Sequence, residues 1–351
     1  MKVNKIYSLS SYSYNLPPEC IAQAPANPRD SSRLLVWDVE TDTADTTRHF
    51  RDILSFLRPD DLLILNDTKV IPARLKGTRS GGGHCEIFLL RDLSPDFLTW
   101  EVLVRPARKI HVGSCVNVNG EVLHILGEKP EGLRTVRFEL SGRDEFMTFL
   151  EQSGHVPLPP YIHNDNDMRE AYQTVFARND GSVAAPTASL HFTPELLSRI
   201  QAMGVKIGYV TLHVGLGTFR PVKAQDIREH AIHTEHCTIP EETAEMIREC
   251  RGRVIASGTT AARTLEALEG QAGTMDTGLY IYPGYKFRVV DALITNFHLP
   301  ESSLIMLVAA FAANKAGGHE EEMLSRLIGI YEECAKTGWR FFSFGDAMFI
   351  V

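Results

Sequence analysis

The chain reads as an α/β main domain with an inserted small antiparallel β-barrel domain, and two patterns in the sequence point that way. Short apolar strand-like runs at 62–65, 205–210, 254–257 and 292–295 alternate with helical patterns, as in sheets covered by helices. Between them the texture changes. Residues 85–90, 100–104, 115–118, 122–126 and 133–140 are β runs separated at short spacing by Gly, Pro and Asn turns. The insert is therefore expected at 70–150, and residues 1–69 and 151–351 are expected to form one discontinuous catalytic domain.

At 351 residues the chain suits about two domains and can bury a sizeable core. Its net charge of −8 argues against a surface that is basic throughout. The charge is uneven, however: residues 69–150 hold 12 Lys and Arg against 10 Asp and Glu, while the rest hold 24 against 34. A local basic patch follows, with Arg74, Lys76, Arg79, Arg105, Arg108, Lys109, Arg134 and Arg137 as members. Binding of any polyanion through such a patch weakens as salt rises. No apolar run reaches the roughly 20 residues needed to span a bilayer, and the first 16 residues are not built as a signal peptide, so a cytoplasmic protein is expected. Six scattered cysteines without a Cys-x-x-Cys pair read as reduced structural residues.

The densest chemistry lies in Gly181-Ser182-Val183-Ala184-Ala185-Pro186-Thr187-Ala188-Ser189-Leu190-His191-Phe192-Thr193. Small side chains let backbone amides approach a ligand, and Pro186 stiffens the path. A second run, Thr211-Leu212-His213-Val214-Gly215-Leu216-Gly217-Thr218-Phe219-Arg220-Pro221, follows a strand. It lacks the third glycine and the helix of a dinucleotide fingerprint, so no such fold is assigned. In α/β sheets ligands gather beyond the carboxyl ends of strands. The residues there are Asn66, Asp67 and Thr68; Gly258, Thr259 and Thr260; and Asn296, Phe297 and His298. Thr259 or Thr260 is expected to cap a helix running to Ala267, leaving amides free for a carboxylate or a ribose hydroxyl. His230, His233 and His236 fit a metal site poorly. Three-residue spacing puts the first two together on a helix, but the run then enters a strand-like segment. Asn164 to Asp167 reads as a polar loop.

Together these runs resemble the S-adenosylmethionine:tRNA ribosyltransferase-isomerases of queuosine biosynthesis. Further matches span nearly the whole chain, among them Asn66-Asp67-Thr68-Lys69-Val70-Ile71-Pro72-Ala73-Arg74-Leu75, Gly258-Thr259-Thr260, Tyr282-Pro283-Gly284-Tyr285, Ile294-Thr295-Asn296-Phe297-His298-Leu299-Pro300 and Arg340-Phe341-Phe342-Ser343. Ser189 departs from the glycine usual in that family. If that position needs positive φ, the serine strains the loop. Periodicity alone specifies a β-rich insert, and the resemblance implies its closure into a barrel.

The resemblance also implies a reaction. S-adenosylmethionine acts as a co-substrate that donates ribose to 7-aminomethyl-7-deazaguanine in the tRNA anticodon, giving epoxyqueuosine with release of adenine and methionine. No metal or redox cofactor is implied, and the enzyme is expected to be a monomer. The sulfonium acidifies the C5′ hydrogens, so a base must remove one of them. His191 or His213 is the expected base, with Asp67 as a further candidate and Glu235 and Asp291 in reserve. Thr187, Ser189, Gly215, Gly217, His230, His233, Gly258, Thr259, Thr260, Tyr285, Asn296, Phe297 and His298 are expected to bind substrate. Phe297 and Tyr285 are the aromatic residues favoured for stacking on a base. Arg74, Arg105, Arg108, Lys109 and Arg220 are expected to contact tRNA. A methyltransferase using the same donor and a non-catalytic RNA-binding module are the competing readings. The first lacks a glycine-rich loop near its N-terminus, and the second leaves the polar clusters outside the insert unexplained.

Overall fold

The computed structural model describes residues 4–163, 168–215 and 222–351. The chain separates into two compact units. The first comprises Met1–Thr68, Pro160–Asn179 and Pro186–Val351, and the second Lys69–Pro159 with Asp180–Ala185. The second unit thus runs past the expected boundary at 150 and takes back a short piece of the later chain.

In chain order the first unit contributes β1 (Arg33–Asp38), β2 (Thr43–His49) and β3 (Leu62–Asn66). The short strands β4 (Thr68–Val70) and β12 (Asn179–Ser182) lie where the chain passes between units. The second unit holds β5 (Arg74–Arg79), β6 (His84–Asp92), β7 (Thr99–Arg105), β8 (Cys115–Val118), β9 (Glu121–Glu128), β10 (Leu133–Phe138), α1 (Arg143–Ser153) and β11 (Gly154–His155). The first unit resumes with α2 (Pro194–Ala202), β13 (Lys206–His213), β14 (Glu235–Ile239), α3 (Glu241–Glu249), β15 (Val254–Ser257) and α4 (Gly258–Ala267). It ends with β16 (Gly273–Thr277), β17 (Ala292–Asn296), α5 (Ser303–Lys315), α6 (Glu320–Lys336) and β18 (Ala347–Ile350).

The second unit is a closed six-stranded antiparallel barrel, in the order β5-β6-β7-β10-β9-β8 with β8 pairing back to β5. Closure brings the two end strands so close that a Cβ at Gly77 would lie 2.7 Å from the Asn117 carbonyl oxygen, which only glycine tolerates. Alternate residues point inward, with Ile87, Leu89, Val102, Val104, Leu123, Ile125 and Val136 all buried. The aromatic residues of α1 complete this core: Phe146 stacks on Trp100 with ring centroids 5.5 Å apart. The sequence reading missed β5 and α1. Arg74 to Arg79 alternates charged residues with small or apolar ones and gives no apolar run to detect. Pairing of β11 with β5 carries the unit beyond residue 150.

The first unit is built on a nine-stranded sheet, ordered β16-β14-β13-β3-β15-β17-β18-β1-β2 among the described residues. Its centre, β13-β3-β15-β17, is parallel throughout. These central strands are apolar on both faces because each face is covered: Leu62 and Ile64 belong to one cluster, Leu63 and Leu65 to the other. On one face lies α5, whose residues Ile305 to Ala313 are all buried. The parallel centre sends the carboxyl ends of four strands to one edge of the sheet, the edge where α/β proteins bind ligands. No described helix is long and apolar enough to cross a membrane.

Candidate active site

Three consecutive residues at the end of β3 hold three consecutive residues at the end of β13. The Asn66 side chain donates to the Leu212 carbonyl at 3.1 Å and accepts from its amide at 3.0 Å. Asp67 accepts from the Thr211 hydroxyl at 2.6 Å. The Thr68 hydroxyl meets Nδ1 of His213 at 2.7 Å. Parallel strands sit side by side in register, so a polar triplet after one apolar strand can fix the last turn of its neighbour. The outcome is a half-buried imidazole whose Nδ1 meets the Thr68 hydroxyl and whose ring stacks on His236 with centroids 6.4 Å apart.

Asp67 is engaged at both carboxylate oxygens. Its second oxygen takes Nε of Arg178 at 2.5 Å, and its first also takes Nδ2 of Asn179 at 3.0 Å. Its side chain is 1% exposed. A carboxylate so engaged holds Thr211, Arg178 and Asn179 in place. Arg178 and Asn179 escaped the sequence reading because they sit just before and at the start of β12, a four-residue strand, Asn-Asp-Gly-Ser, with no apolar run to mark it.

His191 is held quite differently. It ends a short 3-10 turn, Thr187–His191, and is buried. Nδ1 lies 2.8 Å from the Ser32 hydroxyl and Nε2 lies 3.3 Å from Nδ2 of Asn296. The ring stacks on Phe50 with centroids 4.8 Å apart. Since an amide nitrogen only donates, Nε2 is the acceptor and Nδ1 carries the hydrogen toward Ser32. Burial, with Arg340 and Arg29 adding positive charge, pushes its pKa down to about 3. The imidazole is thus neutral, and its lone pair is already occupied.

Asn296 closes this cluster. Its Nδ2 also donates to the Phe342 carbonyl at 3.1 Å, while Oδ1 is buried without a hydrogen-bond partner. Phe342 itself has φ of +75°, a costly conformation for an aromatic residue that marks sites where surroundings override local preference. Ser189 does not follow the strain expected for it. It lies in the turn without positive φ, and its hydroxyl meets that of Ser257 at 2.9 Å.

That bond also explains the start of α4. Ser257 occupies the capping position, not Thr259 or Thr260, and its hydroxyl does not cap because Ser189 holds it. Gly258 adopts φ of +90°, and Thr259 and Thr260 fall within the first turn, where amides lack intrahelical acceptors. The Thr260 hydroxyl is buried without a partner. Thr187, half-buried at the head of the 3-10 turn, completes this wall.

Other expected site residues sit elsewhere or are already occupied. Phe297 is wholly buried among Tyr331, Trp339 and Phe341 and is a core residue, not a stacking platform. His298 bonds Thr295 at 2.8 Å, and burial lowers its pKa to about 3. Tyr285 donates to Glu266 at 3.2 Å in an open hollow also lined by Lys286 and Arg288. His230 and His233 are not on a helix, because the 3-10 turn ends at Glu229 and extended chain follows. His230 packs edge-on against Tyr280, and burial followed by the charge of His233 lowers its pKa. Gly215 donates its amide to Glu235 at 3.0 Å, and Glu235 is also bonded by Arg263. Gly217 and Arg220, like the loop at Asn164 to Asp167, lie outside the described residues.

The cations of the barrel unit divide into two kinds. Arg134 is 3% exposed and donates to the carbonyls of Ile110, Leu133 and Ala107, so it is structural. Arg74 pairs with Glu86 and Arg137 with Asp96. Arg105, Arg108 and Lys109 are exposed, with no ion pair among the described residues.

Comparison with known proteins agrees with the resemblance. The family model described as queuosine biosynthesis protein matches residues 9–350. A curated S-adenosylmethionine:tRNA ribosyltransferase-isomerase of Gloeobacter violaceus is 48% identical, covering 97% of this chain and 95% of that one. Its counterpart in Trichlorobacter lovleyi is 47% identical over 98% and 99%. A crystal structure of S-adenosylmethionine tRNA ribosyltransferase from Thermotoga maritima matches with a TM-score of 0.54 at 36% identity, covering 97% of this chain and all of that one. With its barrel-bearing α/β fold and its polar strand ends, the chain belongs to the S-adenosylmethionine:tRNA ribosyltransferase-isomerase family of queuosine biosynthesis.

Proposed function

We propose that the chain moves the ribosyl moiety of S-adenosylmethionine to 7-aminomethyl-7-deazaguanine in the tRNA anticodon. The products are epoxyqueuosine, adenine and methionine. The observation that carries the assignment of roles is the hydrogen bond between Nδ1 of His213 and the Thr68 hydroxyl at the carboxyl edge of the parallel strands, which supports a base role when Nδ1–H is the donor. It orients a half-buried imidazole without burying it.

In this reading His213 takes a C5′ proton made acidic by the sulfonium, and bond reorganisation then expels adenine. His191, neutral and fixed, anchors Asn296. The Asn296 Oδ1 accepts a hydrogen bond from substrate. The backbone of Gly215 and the wall of Thr187, Ser189, Gly258, Thr259 and Thr260 approach the nucleoside closely. Exposed Arg105, Arg108 and Lys109 take phosphates of the RNA. The chemistry calls for proton transfer and leaving-group departure and so needs no metal or redox cofactor. We further propose that the protein works as a monomer in the cytoplasm.

The test is to incubate the protein with S-adenosylmethionine and an anticodon stem-loop carrying 7-aminomethyl-7-deazaguanine, then analyse RNA and small products by mass spectrometry. Adenine and methionine should appear as the RNA gains the epoxycyclopentanediol group. S-adenosylhomocysteine among the products, or unchanged RNA with folded protein, would overturn the proposal.

A further inference from the structure

Arg263 is an arginine with one hand empty. It lies on α4, is 5% exposed, and is held at two of its three nitrogens. Nε donates to the Leu279 carbonyl at 3.1 Å and Nη1 to Glu235, while Nη2 is buried with no hydrogen-bond partner among the described residues. A buried guanidinium N–H left unsatisfied is costly, and arginine can only donate. Whatever completes it must bring an acceptor.

Arg263 lines a narrow cavity with His233, Glu235, Tyr280, Ser303 and Leu304, closed on its apolar side by Ile232, Ile281 and Leu307. Ser303 and Leu304 are the first two residues of the thirteen-residue helix α5. Their amides have no intrahelical acceptor, and the Ser302 side chain caps Ile305 instead. The first residues of a helix and an arginine with an unpaired nitrogen therefore line one space, and both favour a carboxylate. The cavity is narrow, holding about 20 Å³. A bare anion would also meet the carboxylate of Glu235. A group carrying a positive charge beside its carboxylate avoids that repulsion, which is the arrangement of an α-amino acid.

We infer that this cavity binds the amino-acid end of S-adenosylmethionine, with Arg263 and the first amides of α5 holding the carboxylate. The inference rests on the proposed use of that donor. It moves the carboxylate from the start of α4, where the sequence suggested it, to the start of α5.

The experiment compares kcat/KM for S-adenosylmethionine with that for its decarboxylated analogue, S-adenosylmethioninamine. The wild-type enzyme should prefer the carboxylate-bearing donor by about a hundredfold, as charge-assisted bonds to a buried site imply. Two variants follow. Arg263→Lys keeps a charge beside Glu235 but removes the forked donor. Ser303→Pro removes one amide at a helix position that accepts proline. Arg263→Lys should reduce the preference to within about fivefold, and Ser303→Pro should reduce it severalfold. If the wild-type enzyme uses both donors within threefold, the inference fails, and Nη2 is satisfied by water alone. It fails equally if the folded Ser303→Pro variant and any folded Arg263→Lys variant keep the full preference. Absence of adenine release from S-adenosylmethionine itself would instead sink the functional reading.

Discussion

The regions around His191 and His213 use the same side chain to opposite ends. Around His191 everything is closed: both ring nitrogens are engaged, Phe50 covers a face, and burial has lowered the pKa to about 3. Around His213 the strand end is half-open, and the Thr68 hydroxyl orients the ring. The first arrangement builds a rigid floor, since a neutral imidazole with its lone pair occupied neither gains nor loses protons near neutral pH. The second suits the base of the proposed function. A general base must be oriented and still able to accept a proton. Histidines that look equivalent in sequence differ in role because of what surrounds them.

The most damaging way to probe the contrast is to remove the proposed base. His213→Ala should lower kcat by about a hundredfold to ten-thousandfold while the thermal transition stays nearly unchanged, as read by single-turnover adenine release and calorimetry. Removing the floor should do the reverse. His191→Ala leaves Ser32 and Asn296 without their partner and opens space beside Phe50. It should cost about 2–4 kcal/mol of stability in denaturant titrations, with turnover of the folded fraction within about tenfold of wild type.

Acidification sharpens the same point. His191 and His298 both have pKa values lowered to about 3 in the folded state, against about 6.5 for an unfolded histidine. The unfolded chain therefore binds more protons between those limits, and stability that is complete above about pH 6.5 drains away as pH falls toward 3. Replacing either residue by Asn should flatten that part of the stability profile. A slope unchanged in both variants would contradict the neutral-floor assignment.

The mildest effects belong to the barrel. Alanine at Arg105, Arg108 or Lys109 should each weaken tRNA binding severalfold and reduce the salt dependence by about one unit of slope. Alanine at Arg137, already paired with Asp96, should change the slope little.

Much of the fold was legible because central parallel strands are apolar runs: β3, β13, β15 and β17 all stand out, and β3, β15 and β17 are followed by the polar residues a ligand needs. The barrel strands β6 to β10 were visible for the related reason that turns punctuate them. β5 was not, since its alternation is of charged with small residues and its place depends on closure through Gly77. Within the site, sequence pattern put His191 and His213 on an equal footing, with Asp67 behind them. What separates them is hydrogen bonding across the chain, from Ser32, Asn296, Thr68, Arg178 and Asn179, and no local spacing encodes such partners. Phe297 misled for the opposite reason. It adjoins a polar motif, but a strand end turns successive side chains in different directions, and this one points into the aromatic core.

Chemical rescue tests the central claim most directly. His213→Ala and His191→Ala would each be assayed for loss of deuterium from C5′-deuterated S-adenosylmethionine, with and without added imidazole bases of graded pKa. The account predicts that imidazole restores deuterium loss in His213→Ala by tenfold or more, rising with the basicity of the added imidazole, and has no effect on His191→Ala. Rescue of His191→Ala, with folded His213→Ala unresponsive or as active as wild type, would contradict it.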